Sequence, residues 1–293
     1  MLTRLSSATR EVVIGLEATV LIGERINPTG KRKLAAALME GDMDLVRASA
    51  IAQVEAGADI LDVNIGLAGL DQTKVLPIAL KTVMDAVDVP ISIDSNNPEA
   101  LTAALNVYKG KPIINSITGE EKAMAALLPL VKEYRTAFIG LCMDDEGIPT
   151  SVDKRVAIAH KLVDRAVSMG IPQEDVIIDC LVMTVATDHT AAAQTLEAVR
   201  RVRAEIGQNV TAGVSNVSFG LPDRDLINST FLALLIGAGV NCPIIDVAKA
   251  RPLVLAADML LGRDEYSARY IKAFRQRQKA LEAQQAAEQA PTA

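Results

Sequence analysis

The sequence has few aromatic residues, few cysteines and no long uninterrupted apolar run. Among its 293 residues there is no Trp, and aromatic side chains make up 3%. Charges or glycines interrupt every apolar stretch well before the roughly 20 residues that a membrane-spanning helix needs. The amino end shows no charged segment followed by an apolar one, which is the pattern of a secretion signal. We therefore expect a cytoplasmic protein without a membrane segment.

Cysteine and histidine are too scarce to indicate a disulfide framework or a metal centre. The three cysteines, Cys142, Cys180 and Cys242, lie in strand-like surroundings, and we expect them to be buried reduced thiols. The two histidines, His160 and His189, are not joined to the cysteines by Cys-x-Cys or His-x-Cys spacing. We therefore expect no bound metal.

A basic surface is also lacking. The formal net charge is −6 and the calculated isoelectric point is about 5.1, which argues against a partner bound through its phosphate backbone, such as a nucleic acid. Half of the residues are hydrophobic, which is enough for one large core. Single (β/α)8 barrels commonly occupy about 250 residues, so one such domain would fill this chain.

Apolar runs of strand length alternate with amphipathic helical segments along the whole chain. Nearly continuous apolar strands are typical of a parallel sheet covered on both faces. Eight strand–helix units fit a closed (β/α)8 TIM barrel, an α/β fold, better than an open sheet. The predicted strands are TVLIGER (19–25), ADILDVNIG (58–66), VPISID (89–94), KPIINS (111–116), TAFIGLCM (136–143), DVIIDCLV (175–182), VTAGVSNVS (210–218) and PIIDVA (243–248).

Two segments lie outside the eight units. Within 1–19, a hairpin could close the barrel floor, as indicated by the pattern EVVIGLEATVLIG (11–23). We assign 1–275 to a single barrel domain. The last residues, 276–293, have helix-forming composition but no sustained apolar face, which predicts a helical or disordered tail.

Polar side chains gather at the predicted carboxyl ends of the strands, where barrel enzymes carry their chemistry. Asn and Asp also favour turns and helix caps, which is an alternative explanation for any single position. Several of them at one end of a barrel would cost about 1–3 kcal/mol each if buried unpaired, so we predict a polar ligand. These residues are Glu24, Arg25, Asn27, Asp62, Asn64, Asp94, Asn115, Asp179, Asn216, Asp246 and Lys249.

The residue types indicate which ligand is expected. The sequence has no P-loop and no Gly-x-Gly-x-x-Gly after a strand, so a nucleotide phosphate is not indicated. A carboxylate can accept two hydrogen bonds from an amino-pyrimidinone edge, and an Asn can both donate and accept. A pterin ring carries such an edge.

At these residues the sequence resembles the pterin-binding TIM barrels, and specifically the methyltetrahydrofolate:corrinoid protein methyltransferase family. The same module occurs as the folate-binding region of cobalamin-dependent methionine synthase. The resemblance covers about residues 20–275 and rests on IGERINPTGKRK (22–33), DILDVNIG (59–66), SIDSNN (92–97), IINSITGE (113–120), FIGLCMDDEGIP (138–149), VIIDCLV (176–182) and GVSNVSFGLPDRDLINSTFL (213–232).

The resemblance implies a methyl transfer between N5 of tetrahydrofolate and the cobalt of a corrinoid, with tetrahydrofolate or 5-methyltetrahydrofolate as substrate. Asn216 would be the catalytic residue, since it would approach N5 and stabilise its protonated form. Asp94, Asn115 and Asp179 would bind the pterin edge. Residues with a supporting role would be Asp62 and Asn64 in the pocket, and Arg25, Asn27 and Arg224 at its rim.

The expected partner is a separate corrinoid protein. The chain has no Asp-x-His-x-x-Gly element, because DHTAAA (188–193) does not match it. Cobalamin would therefore arrive on another protein that docks over the barrel mouth. A homodimer is a further expectation from the resemblance, and the sequence leaves the physiological direction of transfer open.

Three other functions compete with this interpretation. Dihydropteroate synthase shares the barrel, but its Asn-x-Thr-x-Asp-Ser-Phe loop is replaced here by ERINPTGKRK (24–33). A non-catalytic folate-binding protein would keep the pocket and lose turnover. Unrelated carbonyl chemistry would need a reactive Lys within a strand, whereas Lys249 lies at the margin of the eighth strand.

Overall fold

The computed structural model describes residues 1–149 and 151–288 and contains a parallel eight-stranded barrel. The first seven strands pair successively along the chain, and the eighth pairs with the first. A bridge between Gly213 and Ile244 completes the closure. The TIM barrel prediction is confirmed. The barrel strands are β3 (Ile22–Ile26), β4 (Ile60–Asn64), β5 (Ile91–Asp94), β6 (Ile113–Thr118), β7 (Ala137–Leu141), β8 (Val176–Asp179), β9 (Asn209–Thr211) and β10 (Ile244–Ile245).

Helices follow the strands and cover the outside of the barrel. None of the helices in residues 1–149 and 151–288 is both long and apolar enough to cross a bilayer. The α-helices are α1 (Arg32–Glu40), α2 (Asp44–Glu55), α3 (Gln72–Ala86), α4 (Pro98–Leu105), α5 (Glu121–Tyr134), α6 (Val152–Ser168), α7 (Ala191–Glu205), α8 (Arg224–Ala238), α9 (Val247–Leu260) and α10 (Ala268–Glu288).

Local chemistry fixes where several of these helices begin. Asn97 caps α4 by accepting a hydrogen bond from the Ala100 N–H at 3.0 Å, and Pro98 occupies the first turn. Ser151 caps α6 in the same way, through the Lys154 N–H at 3.3 Å. Asp94 ends the strand before the α4 cap and takes no part in it, so capping does not explain that carboxylate.

The side-chain alternation of the strands separates two apolar layers. Residues such as Leu61 and Ile93 face outward and pack under the helices. The alternate residues fill the barrel interior, where they form a second cluster with side chains from the amino end of the chain. Strand residues of this interior layer are Ile22, Ile60, Ile113, Ala137, Ile139 and Ile177.

An antiparallel hairpin of β1 (Thr3–Ser6) and β2 (Glu11–Ile14) lies across the amino ends of the barrel strands. The Ser6 N–H donates to the Lys111 carbonyl at 3.0 Å, just before β6. Leu5 and Ile14, at most 1% exposed, join the interior cluster from below. The first hairpin strand lies upstream of the segment 11–23 from which the hairpin was predicted.

The last two barrel strands are shorter than the sequence pattern predicted. β9 ends at Thr211, and a 3₁₀ helix, Val214–Ser218, follows. Asn216 therefore lies in that 3₁₀ helix and not on a strand, which corrects the predicted strand 210–218. Helix α10 begins at Ala268, so the predicted boundary at 275 falls within a helix; residues 289–293 of the predicted tail lie outside the described residues.

Asp258 connects the two ends of the barrel chain. This α9 carboxylate is 1% exposed and accepts hydrogen bonds from the Thr19 N–H at 3.0 Å and the Thr19 hydroxyl at 2.7 Å. It also pairs with Arg263 at 3.4 Å and Arg269 at 3.5 Å. The segment leading into β3 and the segment leading into α10 are thereby held to the same side chain.

We predict that Asp258→Ala lowers the free energy of unfolding by about 2–3 kcal/mol, because it leaves the buried Thr19 donors unpaired and removes an ion pair from Arg263 and from Arg269. Urea denaturation monitored by circular dichroism measures the change. The control is Glu11→Ala, which breaks the exposed ion pair with Arg4 and should cost less than about 1 kcal/mol. Equal, small losses in both variants would contradict this role for Asp258.

Candidate active site

A polar layer lies directly above the isoleucines that fill the barrel interior. Because strand side chains alternate, the residue two positions after an interior isoleucine also points inward. In five strands or strand ends that residue is polar and lies at the carboxyl end, here called the mouth of the barrel. The pairs are Ile22 with Glu24, Ile60 with Asp62, Ile113 with Asn115, Ile177 with Asp179 and Ile244 with Asp246.

The first mouth residues form two adjacent hydrogen-bonded groups across β4, β5 and β6, one around Asp62 and one around Asp94. Asp62 accepts hydrogen bonds from the Ser92 hydroxyl at 2.7 Å and from the Asn115 amide at 2.9 Å. The Asn64 amide donates to Asp94 at 2.8 Å. Asn64, Asp94 and Asn115 occupy one row of the sheet, since each is the register partner of the next. The register thus brings together four of the predicted side chains.

Burial controls the protonation of this network. Asp62 is 4% exposed, and burial together with the neighbouring Asp94 charge raises the pKa of Asp62 to about 8. Burial also raises the pKa of Asp94, against which the Asn64 hydrogen bond acts. With a pKa of about 8, Asp62 is mainly protonated at neutral pH, so the two carboxyl groups do not both carry a full charge. Asp62 holds the proton because it is the more deeply buried of the two.

Asp179, at the end of β8, lies on the same rim beyond β7. Its carboxylate accepts hydrogen bonds from the Leu181 N–H at 2.8 Å and from the Gly213 N–H. Burial raises the pKa of Asp179 to about 6, while these two hydrogen bonds and the charge of Arg155 act in the opposite direction. Asp179 is therefore mainly ionised at neutral pH and can accept hydrogen bonds from a ligand.

Asn216 lies beside Asp179, since Gly213 connects the two. Gly213 donates its N–H to Asp179, and a Cβ atom at Gly213 would come within 3.2 Å of the Asn216 amide nitrogen. The 3₁₀ helix that carries Asn216 leaves this side chain exposed. An exposed amide next to a buried carboxylate is placed to contact a ligand that the carboxylate holds.

The predicted rim arginines line a separate cavity of about 250 Å³ between β3, β10 and α8. Ser215, the neighbour of Asn216, donates to Glu24 at 2.9 Å. Arg25 pairs with Asp246 at 3.7 Å. Arg224 donates to the Ser215 carbonyl at 2.7 Å. The cavity thus adjoins the loop of Asn216, and its lining includes Glu24, Arg25, Ser215, Arg224, Asp246 and Lys249.

The third predicted rim residue, Asn27, has a local structural role. Its side-chain oxygen accepts a hydrogen bond from the Thr29 N–H at 2.9 Å, which closes a turn after β3.

Lys249 pairs with Asp225 at 2.7 Å and is exposed. Lys249 thus lies outside the polar network, on the cavity wall.

The sequence interpretation did not single out Ser92, Ser215 or Arg155. Ser92 could have been identified, since the alternation in ISID (91–94) places it on the face of Asp94. Ser215 lies in the 3₁₀ helix after β9, and Arg155 reaches the site from the distant helix α6. The sequence has no periodic pattern that would place either side chain at the site. Over residues 1–149 and 151–288, no group of three or more His, Cys, Asp or Glu residues is arranged to hold a metal ion.

Comparison with known families agrees with this geometry. The family model described as "Pterin binding enzyme" matches residues 23–246. A methylcorrinoid:tetrahydrofolate methyltransferase of Eubacterium limosum is 33% identical over 267 residues, which span 88% of this chain and 96% of that protein. A methionine synthase of Mycobacterium leprae (strain TN) is 30% identical over 252 residues, covering 80% of this chain and 21% of that longer protein.

Solved structures with the same fold include dihydropteroate synthases. The Xanthomonas albilineans enzyme with 4-aminobenzoic acid superposes with a TM-score of 0.68 at 19% identity, over 89% of this chain and 99% of that one. The Yersinia pestis enzyme with a pterine–sulfa conjugate gives 0.66 at 14% identity, over 89% and 100%. At these identities the likeness shows the barrel fold alone.

The family model covers more than half of the chain, and the Eubacterium limosum relative is matched over nearly its full length. The resemblance drawn from the strand-end residues is thereby confirmed. The chain belongs to the pterin-binding enzymes and, among them, to the methyltetrahydrofolate:corrinoid protein methyltransferase family.

Proposed function

We propose that this protein is a methyltransferase that moves a methyl group between N5 of tetrahydrofolate and the cobalt of a corrinoid carried by a separate protein. The observation that carries the proposal is the hydrogen-bonded polar layer at the barrel mouth, built on Asp62, Asp94 and Asn115 and continued by Asp179. The relative of Eubacterium limosum, a methylcorrinoid:tetrahydrofolate methyltransferase by name, supports the same reaction.

The pterin edge is matched by the donors and acceptors of this layer. Asp179 and Asp94 are carboxylates that can each accept two hydrogen bonds, as the amino and N–H groups of a pterin require. Asn115 already donates to Asp62, which leaves its carbonyl oxygen free to accept. Asp62 keeps its proton and is neutral, so Asp94 has no second full negative charge beside it. Asn64 fixes the orientation of Asp94 through its amide.

Asn216 acts at the reacting nitrogen. An N5 tertiary amine is a poor methyl donor unless it is protonated, because otherwise the leaving group would be an anion. The exposed Asn216 amide can accept a hydrogen bond from N5–H and so stabilise the protonated state in which transfer occurs. The corrinoid supplies the cobalt that takes or gives the methyl group. The chain's own residues orient the ring and stabilise the charge at N5.

The partner and the assembly follow from the same proposal. The corrinoid protein docks over the mouth, next to Asn216, so that the cobalt can reach N5. Exposed apolar side chains on α9 and α10, including Leu260 and Phe274, support a homodimer. The three free cysteines, each at most 1% exposed, support a reducing compartment such as the cytoplasm.

The direct test is methyl exchange between methylcobalamin and tetrahydrofolate, followed by the change in cobalamin absorbance. We expect catalysed transfer that requires the folate. Folate binding without exchange would indicate a binding protein instead. Condensation of 4-aminobenzoate with a pterin diphosphate, without corrinoid transfer, would indicate a dihydropteroate synthase.

We predict that Asn216→Ala lowers the rate constant of methyl transfer about 10²–10³-fold, as expected for loss of a group that stabilises the transition state. The Kd for tetrahydrofolate should change less than about threefold, because the ring is held elsewhere. Single-turnover kinetics and isothermal titration calorimetry separate the two. Asn106 lies just after the carboxyl end of α4, and Asn106→Ala is the matched control, which should change neither quantity. Equal loss of binding and rate would refute this role for Asn216.

Asp179→Asn should weaken binding itself. It removes the charge from one or two hydrogen bonds, each worth roughly 1.5–3 kcal/mol, so the Kd should rise at least tenfold. Titration calorimetry with tetrahydrofolate measures the change. Asp88→Asn alters a carboxylate at the opposite end of the barrel, bonded to Ser7 and Thr9, and should leave the Kd unchanged. An unchanged Kd in Asp179→Asn would remove this residue from the pterin site.

Asp62 also predicts a pH dependence of stability. Because its pKa is raised from 3.8 to about 8, the folded state binds an extra proton between these values and loses stability as pH rises. We expect Asp62→Asn, which cannot ionise, to reduce the fall in unfolding free energy between pH 6 and pH 9 by roughly 1–3 kcal/mol. Urea denaturation at several pH values measures this slope.

The control for this pH effect is Asp71→Asn. Hydrogen bonds from Thr73 and Lys74 lower the pKa of the exposed Asp71 carboxyl, so it stays ionised in both states above pH 6. The variant should keep the wild-type slope. A wild-type slope in Asp62→Asn as well would show that Asp62 is already ionised at pH 6.

A further inference from the structure

Arg155 is a buried cation that the reaction as described does not use. It lies on α6, and the residue is 2% exposed. Its Nη1 group shares its two N–H donors among three acceptors, the Cys180 carbonyl at 3.2 Å, the Leu181 carbonyl at 3.0 Å and the Thr195 hydroxyl at 3.2 Å. All three acceptors are neutral oxygens. Burying a guanidinium on neutral partners is costly unless a nearby anion offsets its charge.

The turn that Arg155 holds is the turn that orients Asp179. Leu181 has a φ of +63°, a left-handed backbone conformation that residues other than glycine rarely adopt. In this conformation the Leu181 N–H turns back to the Asp179 carboxylate at 2.8 Å. The carbonyls of Cys180 and Leu181 point away from Asp179, toward the guanidinium. The Thr195 hydroxyl also donates to the Leu181 carbonyl, at 2.9 Å.

From these contacts we propose that Arg155 is a positioning residue for the pterin site. Its guanidinium holds the Cys180–Leu181 turn in the conformation that directs an N–H at Asp179, and its charge favours the ionised carboxylate that accepts the pterin edge. The proposal rests on the proposed function, since it assigns Arg155 a part in folate binding. The Arg155 charge does act to lower the pKa of Asp179, against the larger effect of burial.

Other charged or titratable groups also lie near Arg155. They are Cys180 beside Asp179, Cys142 after β7 and Asp188 before α7. The hydrogen bond with Cys180, together with burial, raises the pKa of the Cys142 thiol. Hydrogen bonds from Thr190 lower the pKa of Asp188. Asp179, with a pKa of about 6, is the group beside Arg155 that is expected to titrate where folate binding is measured. Asp62, with a pKa of about 8, titrates in the same range in the wild type and in each variant, so the comparison between variants isolates the effect at Asp179.

The test is the Kd for tetrahydrofolate from pH 5.5 to pH 8.5, measured by titration calorimetry on the full chain. Wild-type binding should weaken as the pH falls through about 6. In Arg155→Met, which keeps most of the side-chain volume without the charge, the midpoint should move up by about one pH unit. Relative to wild type, the change of charge alone should raise the Kd about twofold at pH 7 and about eightfold at pH 5.5, and at pH 8.5 only the loss due to the missing hydrogen bonds should remain.

Two further variants separate charge from structure. Arg155→Lys keeps the charge but not the forked donors, so its midpoint should stay near wild type while the Kd rises a fewfold. Thr195→Val removes a hydrogen bond to the same turn without changing any charge, and its midpoint should also stay. If Arg155→Met does not fold, these two variants carry the test: a displaced midpoint in either variant, or an unchanged Kd in Arg155→Lys, would overturn the proposal.

An unchanged midpoint in Arg155→Met, or a loss of affinity that is the same at every pH, would also overturn the proposal. Either result would leave the proposed function intact, provided that the wild type binds tetrahydrofolate and Asp179→Asn weakens it. Failure of the wild type to bind tetrahydrofolate at any pH would instead contradict the proposed function.

Discussion

The energetic cost of holding carboxylates in a buried layer is the constraint on which the site depends. The barrel directs its polar strand ends into one mouth, above an apolar layer that gives them no partner below. Asp62 and Asp94 can lie there together because Ser92, Asn64 and Asn115 donate to them and because Asp62 is mainly protonated at neutral pH. Each of these three side chains donates to a carboxyl group, and the carboxyl oxygens that accept no such bond are left for a ligand at the mouth. A ligand rich in N–H donors completes this arrangement.

Most of the fold follows from the sequence, because strand alternation and parallel pairing are local rules that act in register. Because Ile60 and Ile113 are interior, strand alternation places Asp62 and Asn115 inward as well, and both residues were predicted at strand ends around the mouth. The ends of the barrel were less predictable. β9 stops at Thr211, and the segment with Asn216 forms a 3₁₀ helix, since its pattern of small and apolar residues suits both a strand and a tight turn.

The part of the site that the sequence did not reveal depends on contacts between distant segments. Arg155 reaches the Cys180–Leu181 turn from a helix that begins after β7, and only the fold shows that its guanidinium meets two backbone carbonyls. Ser215 meets Glu24 across the closure of the barrel. Asn27, for which the resemblance implies a place at the rim, also closes its own turn. Position at a strand end therefore indicates a site, whereas the role of each side chain depends on its neighbours.

The most direct test of the central claim is a crystal structure of the protein with tetrahydrofolate bound. The account predicts that the amino-pyrimidinone edge of the pterin contacts Asp94, Asn115 and Asp179, with N5 within hydrogen-bond distance of the Asn216 amide. A pterin bound outside this layer, for example in the cavity between Glu24 and Lys249, would contradict it.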